Sequence, residues 1–173
     1  RRVVAIHDMI PELMPRTRRR LDFLTLKKRY VMKADHVICV SHATRNDLVA
    51  TYGSVKAEIS VVHHGVDPRF RPHAPRVQGL PDRYVVFVGH RGQYKDGTVL
   101  MRAFSQIHDP ELHVVFVGGG SFTQAEQGLL RDLGIADRTM QMTVADIDMA
   151  GAYGNAIVSV FPSRFEGFGL PAL

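Results

Sequence analysis

The 173 residues are 45% hydrophobic and 23% charged with no low-complexity tract, a composition that supplies apolar surface for one or two modest globular cores. No run of 18 apolar residues and no signal-peptide pattern occurs, which excludes a membrane-crossing helix. The net charge of +5 is uneven, because residues 1–33 hold ten Lys/Arg against Asp8, Glu12 and Asp22 while the remainder is net acidic.

Strand-like and helix-like segments alternate along the chain. Val3 to His7 reads as a strand, Thr17 to Lys33 as a helix, and His36 to Val40 as a strand. Ser41 to Tyr52 is a helix that Ser41 can cap and Gly53 ends, followed by a short strand at Ile59 to Val62. Residues 63–78 are proline-rich and aperiodic, the pattern of a linker between a first domain at 1–62 and a second at 79–173. The alternation then restarts. Tyr84 to Val88, Leu112 to Val117, Met140 to Met142 and Ala156 to Phe161 are strands, the last expected to be buried on both faces. Thr98 to Ile107, Glu126 to Leu133 and Asp146 to Tyr153 are helices, with Asp146 as a cap. Repeated βα units with apolar strands define an α/β fold, a Rossmann-like doubly wound parallel sheet. Beginning mid-strand and stopping where a helix should start, the chain reads as part of a longer protein.

Ligands in such folds sit beyond the carboxyl ends of the strands, which directs attention to three loops. Gly89-His-Arg-Gly-Gln-Tyr-Lys-Asp-Gly97 puts Arg91 and Lys95 on a turn leading into a helix, either an ordinary polar loop or a cationic grip on a diphosphate. Gly118-Gly-Gly120 is a tight turn or a close approach to a ligand. Glu166-Gly-Phe-Gly-Leu-Pro171 sets two glycines ahead of a helix start, whose unpaired N–H groups and positive dipole end favour an anion. His7 closes the first strand as a structural histidine or a proton carrier. Asp146 and Asp148 read as helix-start residues, and His63 with His64 lacks ligands at zinc spacing, so no metal is expected. Cys39, the single cysteine, lies in an apolar run and reads as a small buried residue of a reducing, cytoplasmic setting. Residues 16–33 are either a solvated basic helix face or a surface for anionic lipid. No nucleic-acid reader motif accompanies that charge, so nucleic acid is not an expected partner.

Taken in order, Val4 to Pro11, Val37 to Ser41, Val62-His-His-Gly-Val-Asp67 with Phe70 and Pro72, Val86 to Lys95, and Pro162 to Pro171 resemble the family 4 glycosyltransferases of the GT-B fold. The likeness covers nearly the whole chain, and its last motif is the most specific. It implies two Rossmann-like domains facing each other across a cleft, with this chain holding the tail of the acceptor-side domain and most of the nucleotide-sugar domain. It further implies retaining, metal-independent transfer of a sugar from a UDP- or GDP-linked donor to a hydroxyl of a glycan, polysaccharide or lipid-linked acceptor, with no cofactor. By the same resemblance His7 and Glu166 are the catalytic residues. The donor would be bound by Gly89, Arg91, Lys95, Gly119, Val144 and the segment Gly167, Phe168, Gly169 and Leu170. The second glutamate of the family signature falls one position past Leu173, so this chain by itself is expected not to turn over sugar. A non-catalytic module binding nucleotide sugar or a membrane surface is the alternative, and an epimerase or phosphorylase would share the fold.

Overall fold

The computed structural model describes residues 1–14, 21–71 and 74–173. They form two compact units, one of Arg1–Gly65 with Phe165–Leu170 and the other of Val66–Arg164 with Pro171–Leu173.

The first unit is built on a parallel sheet of β1 (Val3–Ile6), β2 (His36–Cys39) and β3 (Glu58–Val61), in that order. Val4 lies opposite Val37, and Val37 opposite Ile59. Ile6, Met9, Val31, Val37, Cys39 and Leu48 pack as its core, joining the sheet to α2 (Leu21–Met32) and α3 (His42–Tyr52). The expected cap is made: Ser41 Oγ accepts from the Thr44 N–H at 3.0 Å, and Gly53 ends α3 with φ +74°. Cys39 is fully buried, and burial pushes its thiol pKa up.

A four-residue helix, α1 (Ile10–Leu13), follows β1 and has no counterpart in the sequence pattern. It is fastened by Glu12, which accepts from Lys27 Nζ at 3.0 Å and from the Tyr52 hydroxyl at 2.5 Å. Lys27 Nζ also donates to the Asp8 carbonyl at 2.7 Å. One cation of the basic segment is therefore turned inward, whereas Lys28, Arg29 and Lys33 are exposed. Arg16, Arg18, Arg19 and Arg20 of that segment, with the expected helix start at Thr17, lie outside the described residues, as does Pro72.

The second unit carries β4 (Tyr84–Val88), β5 (His113–Val117), β6 (Thr139–Met142) and β7 (Val158–Ser159), all parallel, in the order β6-β5-β4-β7. Alternation along the strands divides the core in two. Val85, Phe87, Val114 and Phe116 face Leu100, Met101 and Phe104 of α4 (Gly97–Phe104) and Leu130 of α5 (Gln124–Asp132). Tyr84, Val86, Val115 and Val117 face Leu80 and Ala152 of α6 (Met149–Gly154). Both faces of the sheet are covered, as the near-continuous apolar strands require. Residues 66–71 and 74–78 belong to this unit; Phe70 packs edge-on against Tyr153 at 5.9 Å, and Asn155 Nδ2 donates to the Ala74 carbonyl.

Two expectations are corrected here. The strand expected at Ala156 to Phe161 is reduced to two paired residues at the sheet edge, where Ile157 and Val158 are 58% and 48% exposed. An apolar run alone does not distinguish a central strand from an edge one. Asp146 does not cap α6; it opens a 3₁₀ turn, Asp146–Asp148, without a side-chain cap bond, and both carboxylates are exposed.

Candidate functional site

In the second unit the chain runs from β4 outward to β5 and β6, then returns to the other side of β4 as β7. That reversal is a topological switch point, where loops after adjacent strands diverge and leave a crevice. The loops flanking it are 89–97 after β4 and 160–164 after β7.

Loop 89–97 is tightly determined. Gln93, the first residue of a 3₁₀ turn (Gln93–Lys95), and Asp96, which follows it, hold left-handed φ values of +56° and +47°, uncommon for residues with a side chain. The Lys95 stem lies over Gly89, where an added Cβ would meet its Cδ at 3.4 Å. Its ammonium stands 4.8 Å from the Phe161 ring centre, at the end of β7. Arg164 closes the arrangement: its N–H donates to the Tyr94 carbonyl at 2.7 Å and its Nε to Asp96 Oδ2 at 2.6 Å. The Arg164 guanidinium holds the Asp96 carboxyl below its ordinary range, against an opposing effect of burial.

Arg91, which the resemblance pairs with Lys95 on a diphosphate, is engaged within the protein. It is buried, and each guanidinium nitrogen donates to a protein acceptor. Nε reaches Glu126 Oε1 at 2.7 Å, Nη1 the Gly118 carbonyl at 3.2 Å, and Nη2 the Ser121 carbonyl at 2.9 Å. The guanidinium also stacks on Phe122 at 4.7 Å. Glu126 closes a capping box with Thr123 at the start of α5, so Arg91 braces the glycine turn against that helix. Burial pushes the Glu126 carboxyl up, but hydrogen bonds from Arg91 and Thr123 outweigh it and leave the pKa low. Gly119 serves the same packing: with φ +70°, an added Cβ would stand 2.7 Å from the Gly89 carbonyl. Val144, just past β6, is half-buried against the core on the α6 side.

The first unit gathers the other candidates. Gly167 is buried against His7, so closely that an added Cβ would fall 1.8 Å from the His7 carbonyl. Its own carbonyl accepts from Ser41 Oγ and from Thr44 Oγ1 at 2.9 Å. Phe168 packs between His63 and His64, with ring centres 5.5 and 5.3 Å away. His7 Nδ1 and His64 Nε2 share a hydrogen bond of 3.3 Å, their rings stacked at 5.2 Å. The strand end at His7 and the segment Glu166, Gly167, Phe168 and Gly169 thus meet, although about 160 residues separate them. Leu170 opens a 3₁₀ turn, Leu170–Ala172. Ser41, which with Thr44 holds Gly167, had only a capping role in the sequence; Thr44, Asp96 and Arg164 were assigned none. Among the described residues no cluster of His, Cys, Asp or Glu is arranged to hold a metal ion.

Parallel sheets with a cationic loop at a switch point define a Rossmann-like class, and solved structures of that class superpose on the chain. Anabaena HepE, solved with UDP and glucose, matches with a TM-score of 0.76 and 21% identity over 96% of this chain and 48% of its own. The pneumococcal O-GlcNAc transferase GtfA, solved with UDP and GlcNAc, matches with a TM-score of 0.71 and 18% identity over 97% of this chain and 34% of its own. Both are GT-B glycosyltransferases in fold. The profile of Glycosyltransferase Family 4 matches residues 1–70, and that of Glycosyl transferases group 1 matches residues 71–173. The D-inositol 3-phosphate glycosyltransferases of Mycobacterium bovis and Mycobacterium tuberculosis are 31% identical over 160 residues, 85% of this chain. The chain spans about a third of the length of those relatives. It belongs to the family 4 glycosyltransferases.

Proposed function

We propose that the chain carries the donor-binding residues of a retaining, metal-independent enzyme that moves a sugar from a nucleoside-diphosphate sugar to an acceptor hydroxyl. In that reaction the bond from the anomeric carbon to the phosphoryl oxygen breaks and the diphosphate keeps the electron pair. A bond to the acceptor oxygen forms, and the hydroxyl proton is released. The chief demand is to oppose charge growing on the leaving group, for which fixed donors are effective. Lys95 is the side-chain cation for this task, with the backbone N–H groups of Phe168, Gly169 and Leu170 as further donors. His7 and Glu166 face the donor sugar, Gly89 lets the chain pass close to the phosphate, and Val144 lies toward the base. Arg91 and Gly119 act one step removed, by fixing loop 89–97 to the glycine turn.

The observation that carries this reading is the position of Lys95 at the switch point, on a loop whose geometry is fixed from both sides. UDP is the donor nucleotide to test first, since the HepE and GtfA structures contain it, with GDP in parallel. Calorimetry should show UDP or GDP binding that is reduced at least tenfold in Lys95→Ala; equal binding by both proteins would defeat the assignment. With 33% of the mycobacterial relatives' length covered, turnover by this chain alone is not expected. Sustained transfer from a labelled nucleotide sugar would show otherwise.

One observation favours an additional membrane-surface role. Phe23, Leu26 and Tyr30 line an open groove beside β1, and Lys28, Arg29 and Lys33 are exposed on the same helix, a cluster of cations that would meet anionic lipid. This would suit a lipid-linked acceptor and a cytoplasmic, peripheral location. Co-sedimentation with phosphatidylglycerol vesicles at low salt, absent with phosphatidylcholine, is the expected result.

A further inference from the structure

We infer that Arg164 is a positioning residue for the diphosphate, acting through Asp96 and Tyr94 on Lys95. The inference rests on the donor-binding role given to Lys95 above and extends it to a residue outside loop 89–97.

Three contacts join the ends of β4 and β7 on either side of the switch point. The Arg164 N–H bonds the Tyr94 carbonyl, its guanidinium bonds the Asp96 carboxylate, and the Phe161 ring lies under the Lys95 ammonium. The first two grip the residues immediately before and after Lys95, so the lysine is held from both neighbours. The left-handed backbone of Asp96 makes such a grip necessary, because an unusual conformation at a non-glycine residue persists only where its surroundings over-determine it. Asp96 Oδ1 accepts from Thr98 Oγ1 at 3.0 Å, leaving Oδ2 for Arg164.

Charge supplies a second reason. A carboxylate next to Lys95 would repel an incoming diphosphate and draw the ammonium toward itself. Arg164 neutralises that carboxylate, and Glu126 neutralises Arg91, so these five groups keep a net positive charge. The Asp96 carboxylate is largely buried whereas the Arg164 side chain is 68% exposed. The exposed partner can therefore be altered with little disturbance of the core.

The test uses this chain, with UDP and UMP as probes and GDP and GMP in parallel. A residue acting on the diphosphate through Lys95 should affect the preference for UDP over UMP, whereas a general loss of structure lowers both affinities. Arg164→Ala should reduce that preference by about tenfold, within the range of coupling between contacting residues. Arg164→Lys should retain most of it, since charge at Asp96 is kept. In a Lys95→Ala background, Arg164→Ala should cause no further loss. If Arg164→Ala lowers the melting temperature markedly, Arg164→Gln is to be measured in its place, with the same expectations. Additive losses in the double variant, or an equal fall for UDP and UMP, would overturn the positioning role. A wild-type chain that binds UDP and UMP alike overturns the diphosphate reading and the positioning role of Arg164 together. A Lys95-dependent preference that survives Arg164→Ala overturns the positioning role of Arg164 alone.

Discussion

Replacing Arg91 with Met separates a structural brace from a phosphate ligand. In the wild type the Arg91 and Glu126 side chains are 3% and 15% exposed, and the guanidinium also serves the carbonyls of Gly118 and Ser121. Methionine fills much of the volume but removes the guanidinium donors from Glu126 and from the Ser121 carbonyl, while the Gly118 carbonyl keeps a 3.4 Å bond from Gln141 Nε2. Breaking one side of a buried pair costs about 3–5 kcal/mol. The capping bonds that Thr123 gives Glu126 persist, which puts the expected loss near the lower end. For a unit of about 100 residues, each kcal/mol moves the midpoint by about 4–8 °C, so the melting temperature should fall by well over 10 °C. Lys95 is half-buried, and Lys95→Ala should cost about 1 kcal/mol, near the centre of the range for point substitutions and below Arg91→Met. Thermal unfolding followed by circular dichroism reads both. If Arg91→Met melts with the wild type yet loses UDP binding as Lys95→Ala does, Arg91 is a ligand and the brace is refuted.

Other outcomes follow from the same contacts. Gly167→Ala would set a methyl group 1.8 Å from the His7 carbonyl, forcing the segment off Ser41 and Thr44. A loss of about 1–3 kcal/mol is expected, and unchanged thermal unfolding would contradict the packing. Asp96 and Glu126 have folded-state pKa values below the ordinary carboxylate range, so their stabilisation is complete above about pH 4 and is lost as pH falls through the depressed values. Acid titration of unfolding should therefore steepen below about pH 4 and be shallower in Arg91→Met; an identical acid limb would argue against the Glu126 linkage. Lys28→Ser with Arg29→Ser should weaken binding to anionic vesicles without altering UDP affinity, and vesicle binding equal to wild type would remove α2 from the membrane reading.

Much of the architecture was legible because its signals are local. Val85, Val86, Phe87 and Val88 announce a strand buried on both faces, Ser41 and Gly53 bracket a helix, and Gly89 and Lys95 mark the loop after β4. What escaped depends on distant partners. That Arg91 belongs to Glu126 is a fact about residues 35 positions apart, which no local pattern announces. Gly167 reads as freedom for a ligand, while its tightest constraint is the carbonyl of His7, set by tertiary packing. The edge position of β7 was hidden for a related reason. Ile157 and Val158 are apolar whether or not another layer covers them.

The most direct test of the central claim is a crystal structure of the chain with bound UDP. The diphosphate should lie within hydrogen-bonding distance of Lys95 Nζ, with Arg164 still on Asp96 and Arg91 still on Glu126. A nucleotide found elsewhere, or phosphates held by Arg91 with Lys95 turned away, would contradict the account.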